Sequence, residues 1–428
     1  MNGSGKKSAH GLVNGSVNGL EKERIRKNVI ASLPAEEQLG EQELYRRIDK
    51  EILRMDKEAY IRIQAKRALR RTIYNSMRKL DVLQDLMEDE EITEIMVNGP
   101  DRIFTEKEGR LFETELHFES KERLMDVARQ IASDGNRMVN ESHPILDVRG
   151  NEGQRVNIVM PPIALDGPII TIRKFPKEPL SMEKLGRMGA ISEEADHFLK
   201  KLVQSRYSML VAGGTGSGKT TFLNILSNYI PEDERIITVE DSAELQILGV
   251  RNLVRMEAKN ANVEGKGEIT IRDMIKSALR MRPDRIVVGE IRDATAIDML
   301  SALNTGHEGF STVHANSPED TIRRLEMLVL MGMEIPIEAI RRQIASALDL
   351  IVFLGRLRDH SRKVLSISEV LEDEERQVRL NPLYVFEENG EEDGRVLGNL
   401  RRTENPFEGV DKCRQAGILL NEKELGVC

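Results

Sequence analysis

The sequence predicts an α/β protein whose later half is a P-loop domain with a parallel sheet, preceded by an α+β domain and a short helical bundle. Three observations predict it. The apolar run Ser208-Met209-Leu210-Val211-Ala212 opens into Gly213-Gly214-Thr215-Gly216-Ser217-Gly218-Lys219-Thr220-Thr221, and a helical pattern beginning Phe222-Leu223-Asn224-Ile225-Leu226 comes next. Two later apolar runs, Ile236 to Val239 and Arg285 to Gly289, each end on a carboxylate. Helix and strand patterns alternate throughout this region, as crossover helices between parallel strands require.

A chain of 428 residues has room for two or three domains. Its 39% hydrophobic and 32% charged residues describe a globular protein, and no apolar stretch approaches the ~18 residues needed to cross a bilayer. Lys6 and Lys7 are followed by Gly, Asn and Ser where a signal peptide would have an apolar core, so a cytoplasmic location is expected. The two cysteines, Cys413 and Cys428, form no CxxC pair and support neither a disulfide framework nor a zinc site. A net charge of −9 and only 4% aromatic residues weigh against a stable nucleic-acid complex, which draws on clustered cations and stacking rings.

Along the chain, residues 1–20 are rich in Gly, Asn and Ser without periodic apolar positions, and a disordered tail is expected there. Residues 21–80 are densely charged, with Leu44, Ile48, Ile52 and Met55 on one helical stripe, which predicts a small bundle. An α+β domain is expected over 81–173. It has strands at Ile92 to Val97 and Arg102 to Glu106 around the Asn98-Gly99-Pro100 turn, another after Gly109, and a helix near Lys121 to Ala132. Further strands are expected at Gln154 to Met160 and Pro168 to Lys174. Pro176 and Pro179 oppose regular structure and mark a linker over 174–183. The P-loop domain is expected over 184–370 and a C-terminal extension over 371–428.

The loop Gly213 to Thr221 satisfies GxxxxGK[ST] in the required strand-loop-helix context. Small residues let successive N–H groups turn onto a phosphate, and the helix N-terminus adds a favourable dipole. Lys219 is positioned for β- and γ-phosphates and the Thr220 hydroxyl for Mg²⁺, so ATP and Mg²⁺ are the expected cofactors. Lys219 stands where a dinucleotide fingerprint would need glycine, which excludes that alternative. Hydrolysis also requires a carboxylate beside the metal and the attacking water. Glu290, closing Arg285-Ile286-Val287-Val288-Gly289, and Glu240, closing Ile236 to Val239, are the candidates. Thr305 to Ser317 carries two of the seven histidines, His307 and His314. Among small polar neighbours, either could donate a hydrogen bond to a γ-phosphate.

Together, Gly213 to Thr221, Thr238 to Leu245, Ile286 to Asp293 and Thr305 to Ser317 resemble the Walker A, Asp, Walker B and His boxes of the secretion traffic ATPases. These are the motors of type II and type IV secretion and of pili. The similarity looks greatest to the CpaF (or TadA) branch, which serves tight-adherence, or Flp, pili. It extends through Ile92 to Gly99, His143-Pro144-Ile145-Leu146-Asp147, Pro161 to Ala164 and Thr171 to Phe175. The resemblance implies a RecA-like ATPase domain, with nucleotide bound between it and the N-terminal domain, and a hexameric ring docked peripherally on inner-membrane platform proteins. It implies Glu290 as the main general base or water-orienting carboxylate, with Glu240 supporting Mg²⁺ and the water, and Arg155 and Arg173 as phosphate-reaching arginines. Arg255, Arg272, Arg280 and Arg282 lie where relatives supply further arginines, some across subunits. The chain lacks the tetracysteine insertion of many type II enzymes, and its region after Leu371 matches weakly. A conjugation or effector-secretion ATPase and a RecA-like nucleic-acid-binding protein are the alternative readings.

Overall fold

The computed structural model describes residues 19–33, 40–58, 60–107, 109–151, 153–175, 180–259, 261 and 266–426. The tail expected over 1–20 falls outside these up to residue 18, as do Pro176 and Pro179 of the expected linker and Cys428. The chain divides into two compact units between residues 176 and 177. Among the described residues no helix is long and apolar enough to cross a membrane.

The first unit opens with α1 (Gly19–Ala31), α2 (Glu41–Glu58) and α3 (Ile63–Arg78). Leu44, Ile48 and Ile52, one turn apart on α2, are buried against Ile25, Val29, Leu69 and Ile73, which explains the apolar stripe in a charged sequence. After α4 (Leu83–Glu88) come β1 (Ile92–Asn98), β2 (Ile103–Lys107), β3 (Arg110–Glu113), α5 (Lys121–Asp134), β4 (Ile145–Arg149), β5 (Arg155–Val159) and β6 (Ile169–Arg173). They build one antiparallel sheet in the order β3-β2-β1-β6-β5-β4. Ile95, Val97, Val156, Ile158, Ile170 and Ile172, at alternate strand positions, pack with Leu124, Val127 and Ile131 of α5. Gly99 turns β1 into β2 at φ +76°, a conformation that glycine adopts without a Cβ penalty.

The second unit begins with α6 (Met182–Arg187) and α7 (Glu193–Gln204), then β7 (Met209–Gly213), α8 (Lys219–Ser227), β8 (Arg235–Glu240), β9 (Asn252–Glu257) and α9 (Ile271–Ala278). β10 (Arg285–Ile291), α10 (Thr295–Asn304), β11 (Glu308–His314), α11 (Pro318–Leu330), α12 (Ile337–Ala347) and β12 (Leu350–Arg356) complete the alternating part. Strands β12-β7-β11-β10-β8-β9 are parallel, the RecA-like order in which the strand leading into the phosphate loop is central. Both faces of this sheet are covered, so β7 is apolar and buried at every position. One face carries α7 and α8 through Phe198, Leu202, Phe222 and Leu226. The other carries α9 to α12 through Ile275, Leu300, Leu325 and Ile344.

The boundary expected at residue 370 falls inside β13 (Arg362–Glu372). β13 joins β12 antiparallel, and β14 (Val378–Glu392) and β15 (Arg395–Arg402) extend the sheet to nine strands. Tyr384, Leu400, Phe407 and Cys413 share a core with Phe198 and Tyr207, so this C-terminal region is integral to the second unit. The short helices α13 (Asp411–Gln415) and α14 (Glu422–Leu425) finish the described chain.

Arg285, the first residue of β10, is fully buried; its Nε donates to Glu234 Oε2 at 2.6 Å and its Nη2 donates to Glu234 Oε1 at 3.1 Å and to the Val203 carbonyl at 2.7 Å. A buried guanidinium stripped of its carboxylate keeps its desolvation penalty without compensation. Glu234→Ala is therefore expected to lower unfolding stability by about 3–5 kcal/mol, read as a shifted urea midpoint of the second unit.

Candidate functional site

The sheet topology gathers the sequence-predicted residues at one edge. β7 ends at Gly213, β11 at His314, β10 at Glu290-Ile291 and β8 at Glu240, and these four strands are neighbours. Ligands of open α/β sheets bind at this C-terminal edge.

Gly213 to Gly218 form the turn from β7 into α8, and Lys219, Thr220 and Thr221 make the first turn of that helix. The loop needs its glycines: φ is +153° at Gly213, +71° at Gly216 and +92° at Gly218. A Cβ on Gly213 would also stand 2.3 Å from the Leu354 carbonyl oxygen. Ser217 Oγ donates to the Gly214 carbonyl at 2.9 Å and pins the turn. No side chain caps α8, leaving its N-terminal N–H groups directed to whatever the loop binds. Thr215, Gly216 and Thr221 are exposed and Thr220 is half-buried.

Lys219 is buried beneath the loop. Its Nζ donates to the carbonyls of Gly213 at 3.1 Å and Gly214 at 2.9 Å, and lies 3.2 Å from His314 Nδ1. The opposite ring nitrogen, Nε2, stands 3.1 Å from Glu290 Oε1. An ammonium can only donate, so Nδ1 accepts and the proton of the neutral ring sits on Nε2, facing the carboxylate. Burial and then the Lys219 charge hold the His314 pKa below its ordinary value, while Glu290 pulls it back up. The segment just after His314 keeps it in place: the Ala315 N–H donates to the Gly213 carbonyl at 3.3 Å, and Ser317 caps α11 by accepting from the Asp320 N–H at 3.0 Å.

Glu290 lies on an irregularity. β10 and β11 are in register from Arg285 to Val288 and again at Ile291, with one extra residue on β10 between, and the Thr312 hydroxyl donates to the Gly289 carbonyl at 2.8 Å. Such bulges re-aim side chains next to active sites. Glu290 Oε2 accepts from Arg292 Nη2 at 2.7 Å, and Arg292 Nη1 continues to Asp241 Oδ2 at 3.6 Å. Glu290 Oε1 is buried and, despite the nearby imidazole, has no aligned hydrogen-bond donor among the described residues.

Glu240 is deeper. It is almost fully buried, Oε2 accepts from the N–H groups of Glu244 at 2.7 Å and Leu245 at 2.8 Å, and Oε1 has no aligned hydrogen-bond donor among the described residues. Burial raises its pKa, against the lowering by those two N–H groups, the Arg255 charge and the nearby Thr238 hydroxyl. Gly289 makes room for it, since a Cβ there would lie 3.2 Å from Glu240 Cγ.

Two buried carboxylate oxygens without an aligned donor among the described residues, a hydroxyl at the start of α8 and a loop held at positive φ by Gly213, Gly216 and Gly218 fit a Mg²⁺-nucleotide. Mg²⁺ in such sites is held by phosphates with only one or two protein oxygens. Thr220, Glu290 and Glu240 are the residues that would hold it, directly or through water.

The structure does not bring His307 to this edge. It precedes the first residue of β11, where Thr305 Oγ1 lies 3.3 Å from its Nδ1, and seven strand steps of ~3.3 Å put it roughly 23 Å from His314. Arg155 and Arg173 belong to the first unit, where they are cross-strand partners on β5 and β6, with Arg149 on β4 opposite Arg155. This row of three arginines on one sheet face is visible only once the register is known. Arg255 stands on edge strand β9, Arg272 Nε is 2.8 Å from Asp298 Oδ2, and Arg280 and Arg282 follow α9. Sequence reasoning passed over Arg292, although its two-residue spacing from a strand-end glutamate was available as a signal.

A phosphate loop on a central parallel strand, flanked by strand-end carboxylates and a histidine, defines a P-loop nucleotide-binding protein. The chain belongs to the type II/IV secretion system protein family, whose model matches residues 76–416. It is 33% identical over 340 residues to a Mycobacterium tuberculosis protein named "Putative conjugal transfer protein", covering 78% of this chain and 96% of that one. It is 31% identical over 324 residues to the type IV secretion system protein VirB11 of Bartonella henselae, covering 67% and 90%. The solved structure of the Yersinia pseudotuberculosis ATPase DotB shares the fold, with a TM-score of 0.50 at 20% identity over 69% of this chain and 78% of that one.

The neutral His314 gives the site a pH signature. Unfolded histidine titrates near ~6.5 and the native ring below that. The unfolded chain therefore binds the extra proton first, and the stability associated with this group is complete above about pH 6.5 and declines as pH falls below it. A protonated ring would repel Lys219 and close its charge onto Glu290. ATP turnover is expected to show an acid limb centred below about 6.5, absent from the pH profile of His314→Gln.

Proposed function

We propose that the protein hydrolyses ATP with Mg²⁺ and works as a homo-oligomeric, hexameric ring motor on membrane platform proteins of a type II/IV secretion-class machine. The observation that carries this reading is the linked set Lys219, His314 and Glu290, with contacts of 3.2 and 3.1 Å, beside a phosphate loop at the C-terminal edge of the sheet. In it Lys219 neutralises phosphate charge, Thr220 and Glu240 support the metal, Glu290 orients and deprotonates the water, and neutral His314, between Lys219 and Glu290, donates to the γ-phosphate or its leaving group when its Nε2–H turns from the carboxylate to the nucleotide. Arg155 and Arg173 are the proposed additional phosphate contacts. When bound, Mg²⁺ would supply Lewis-acid stabilisation of the charge that develops in phosphoryl transfer.

The load proposed is a tight-adherence, Flp-type pilus, on the strength of the sequence resemblance to the CpaF/TadA branch, with the motor peripheral at the cytoplasmic face of the membrane. The Mycobacterium relative's name, a putative conjugal transfer protein, and the Bartonella relative's, a type IV secretion system protein, favour a second load, conjugal transfer or another type IV secretion substrate. Disrupting the gene in its host tests both. Loss of surface pili with DNA transfer intact supports the first reading, and the reverse supports the second. Sedimentation with and without ATP tests the ring: a hexameric species, with turnover per subunit rising with protein concentration, is expected, and full activity in the monomer contradicts it.

A further inference from the structure

β7 has the carboxylate-bearing strands on one side only. His314, Glu290 and Glu240 close β11, β10 and β8, while β12 and β13 lie on the other side. A nucleotide with its γ-phosphate toward Glu290 and its β-phosphate on the loop would have the side of β12 and β13 open to its α-phosphate and nucleoside. Two arginines stand there. Arg356 closes β12, Arg362 opens β13, and they are register partners. Arg356 Nη1 is 3.8 Å from where a Cβ on Gly216 would be, and Arg362 Cδ is 3.6 Å from the same point on Gly218. Both side chains are exposed and lie against the phosphate loop itself.

The hairpin joining them is anchored by other residues. Arg358 donates to Glu391 at 2.7 Å and to both oxygens of Glu388 at 2.9 and 2.7 Å. Asp359 accepts from the Val396 N–H and the Ser361 N–H, each at 2.9 Å. Although burial pushes the other way, the Ser361 hydroxyl and these N–H groups hold the Asp359 carboxyl down at about 2, so the anchor persists at neutral pH. Arg356 Nη2 reaches His360 Nδ1 at 3.2 Å across the turn. Guanidinium forks match phosphate oxygens.

We propose that Arg356 and Arg362 form a clamp on the α-phosphate of the bound nucleotide. The inference rests on the nucleotide reading of the loop. An α-phosphate contact is common to ATP and ADP and does not change as the γ-phosphate departs, so it contributes uniform binding and leaves the chemical step alone.

The experiment measures Mg-ATP and Mg-ADP affinity, KM and kcat for the full chain, for Arg356→Ala, Arg362→Ala and the double variant, and for Arg→Lys at each position. Loss of one charge-assisted contact is expected to weaken ATP and ADP by the same factor of about ten, with KM raised and kcat within about twofold. Lysine restores part of the loss because it keeps the charge without the fork. Both side chains are exposed, so thermal melting points should match the wild type and report that the variants fold. Unchanged affinities in the double variant overturn the clamp. Weakened ATP with unaltered ADP overturns it too, by moving the arginines to the γ-phosphate. Wild-type protein that binds neither nucleotide removes the underlying reading instead, a result distinct from either.

Discussion

Glu290→Gln is expected to bind ATP about as well as the wild type and to turn it over about 10²- to 10⁴-fold more slowly, the range of a lost general base. The substitution keeps the shape of the side chain at the bulge between Val288 and Ile291. The chemistry of Oε1 changes instead, a buried acceptor without an aligned donor among the described residues, 3.1 Å from His314 Nε2. An amide there cannot take a proton from water, and it cannot hold the charge that Arg292 pairs with at 2.7 Å. Phosphate release together with fluorescent-nucleotide affinity separates the two effects. If Gln supports normal turnover, the catalytic carboxylate is elsewhere, and Glu240 is the next group to replace.

Lys219→Ala has the opposite signature. Its ammonium is the cation buried under the phosphate loop, and charge-assisted hydrogen bonds to phosphate, each contributing about 1.5–3 kcal/mol, vanish together. Nucleotide affinity is expected to fall by about two orders of magnitude or more. The same side chain donates to the carbonyls of Gly213 and Gly214 at 3.1 and 2.9 Å, so the loop loses an internal tie as well. Lys219→Arg controls for charge: it keeps the cation but not the compact geometry under the loop, and binding is expected to stay well below wild type. Wild-type affinity in Lys219→Ala would mean that this loop does not carry the phosphates.

These positions were legible because strand, loop and helix succeed one another without a break from Ser208 to Leu226. Apolar runs ending in a glutamate also locate strand ends in a sheet covered on both faces. The helical stripe Leu44, Ile48, Ile52 was legible for the same kind of reason: period and burial coincide.

Other features depend on pairing between distant segments. His307 and His314 look like one cluster in sequence, yet an extended strand carries them to opposite edges of the sheet. Arg356 and Arg362 look like ordinary surface charge until the β12–β13 register sets them side by side against Gly216 and Gly218. The row Arg149, Arg155, Arg173 has the same origin. The region after residue 370 reads as an appendage because β14 is a polar, Glu-rich strand over its outer half. Its inner half nevertheless places Leu383 and Tyr384 in the core. The depth of Glu240 was also hidden, since its burial depends on Gly289 of a neighbouring strand leaving space for it.

The measurement that tests the central claim most directly is phosphate release from Mg-ATP by the purified full chain, over a series of protein concentrations and with EDTA as the control. A ring motor gives metal-dependent turnover whose rate per subunit rises with concentration as the ring assembles, and this is the expected result. ATP that binds at the loop but yields no phosphate at any concentration, even with candidate platform protein added, would contradict the motor and leave a nucleotide-binding scaffold in its place.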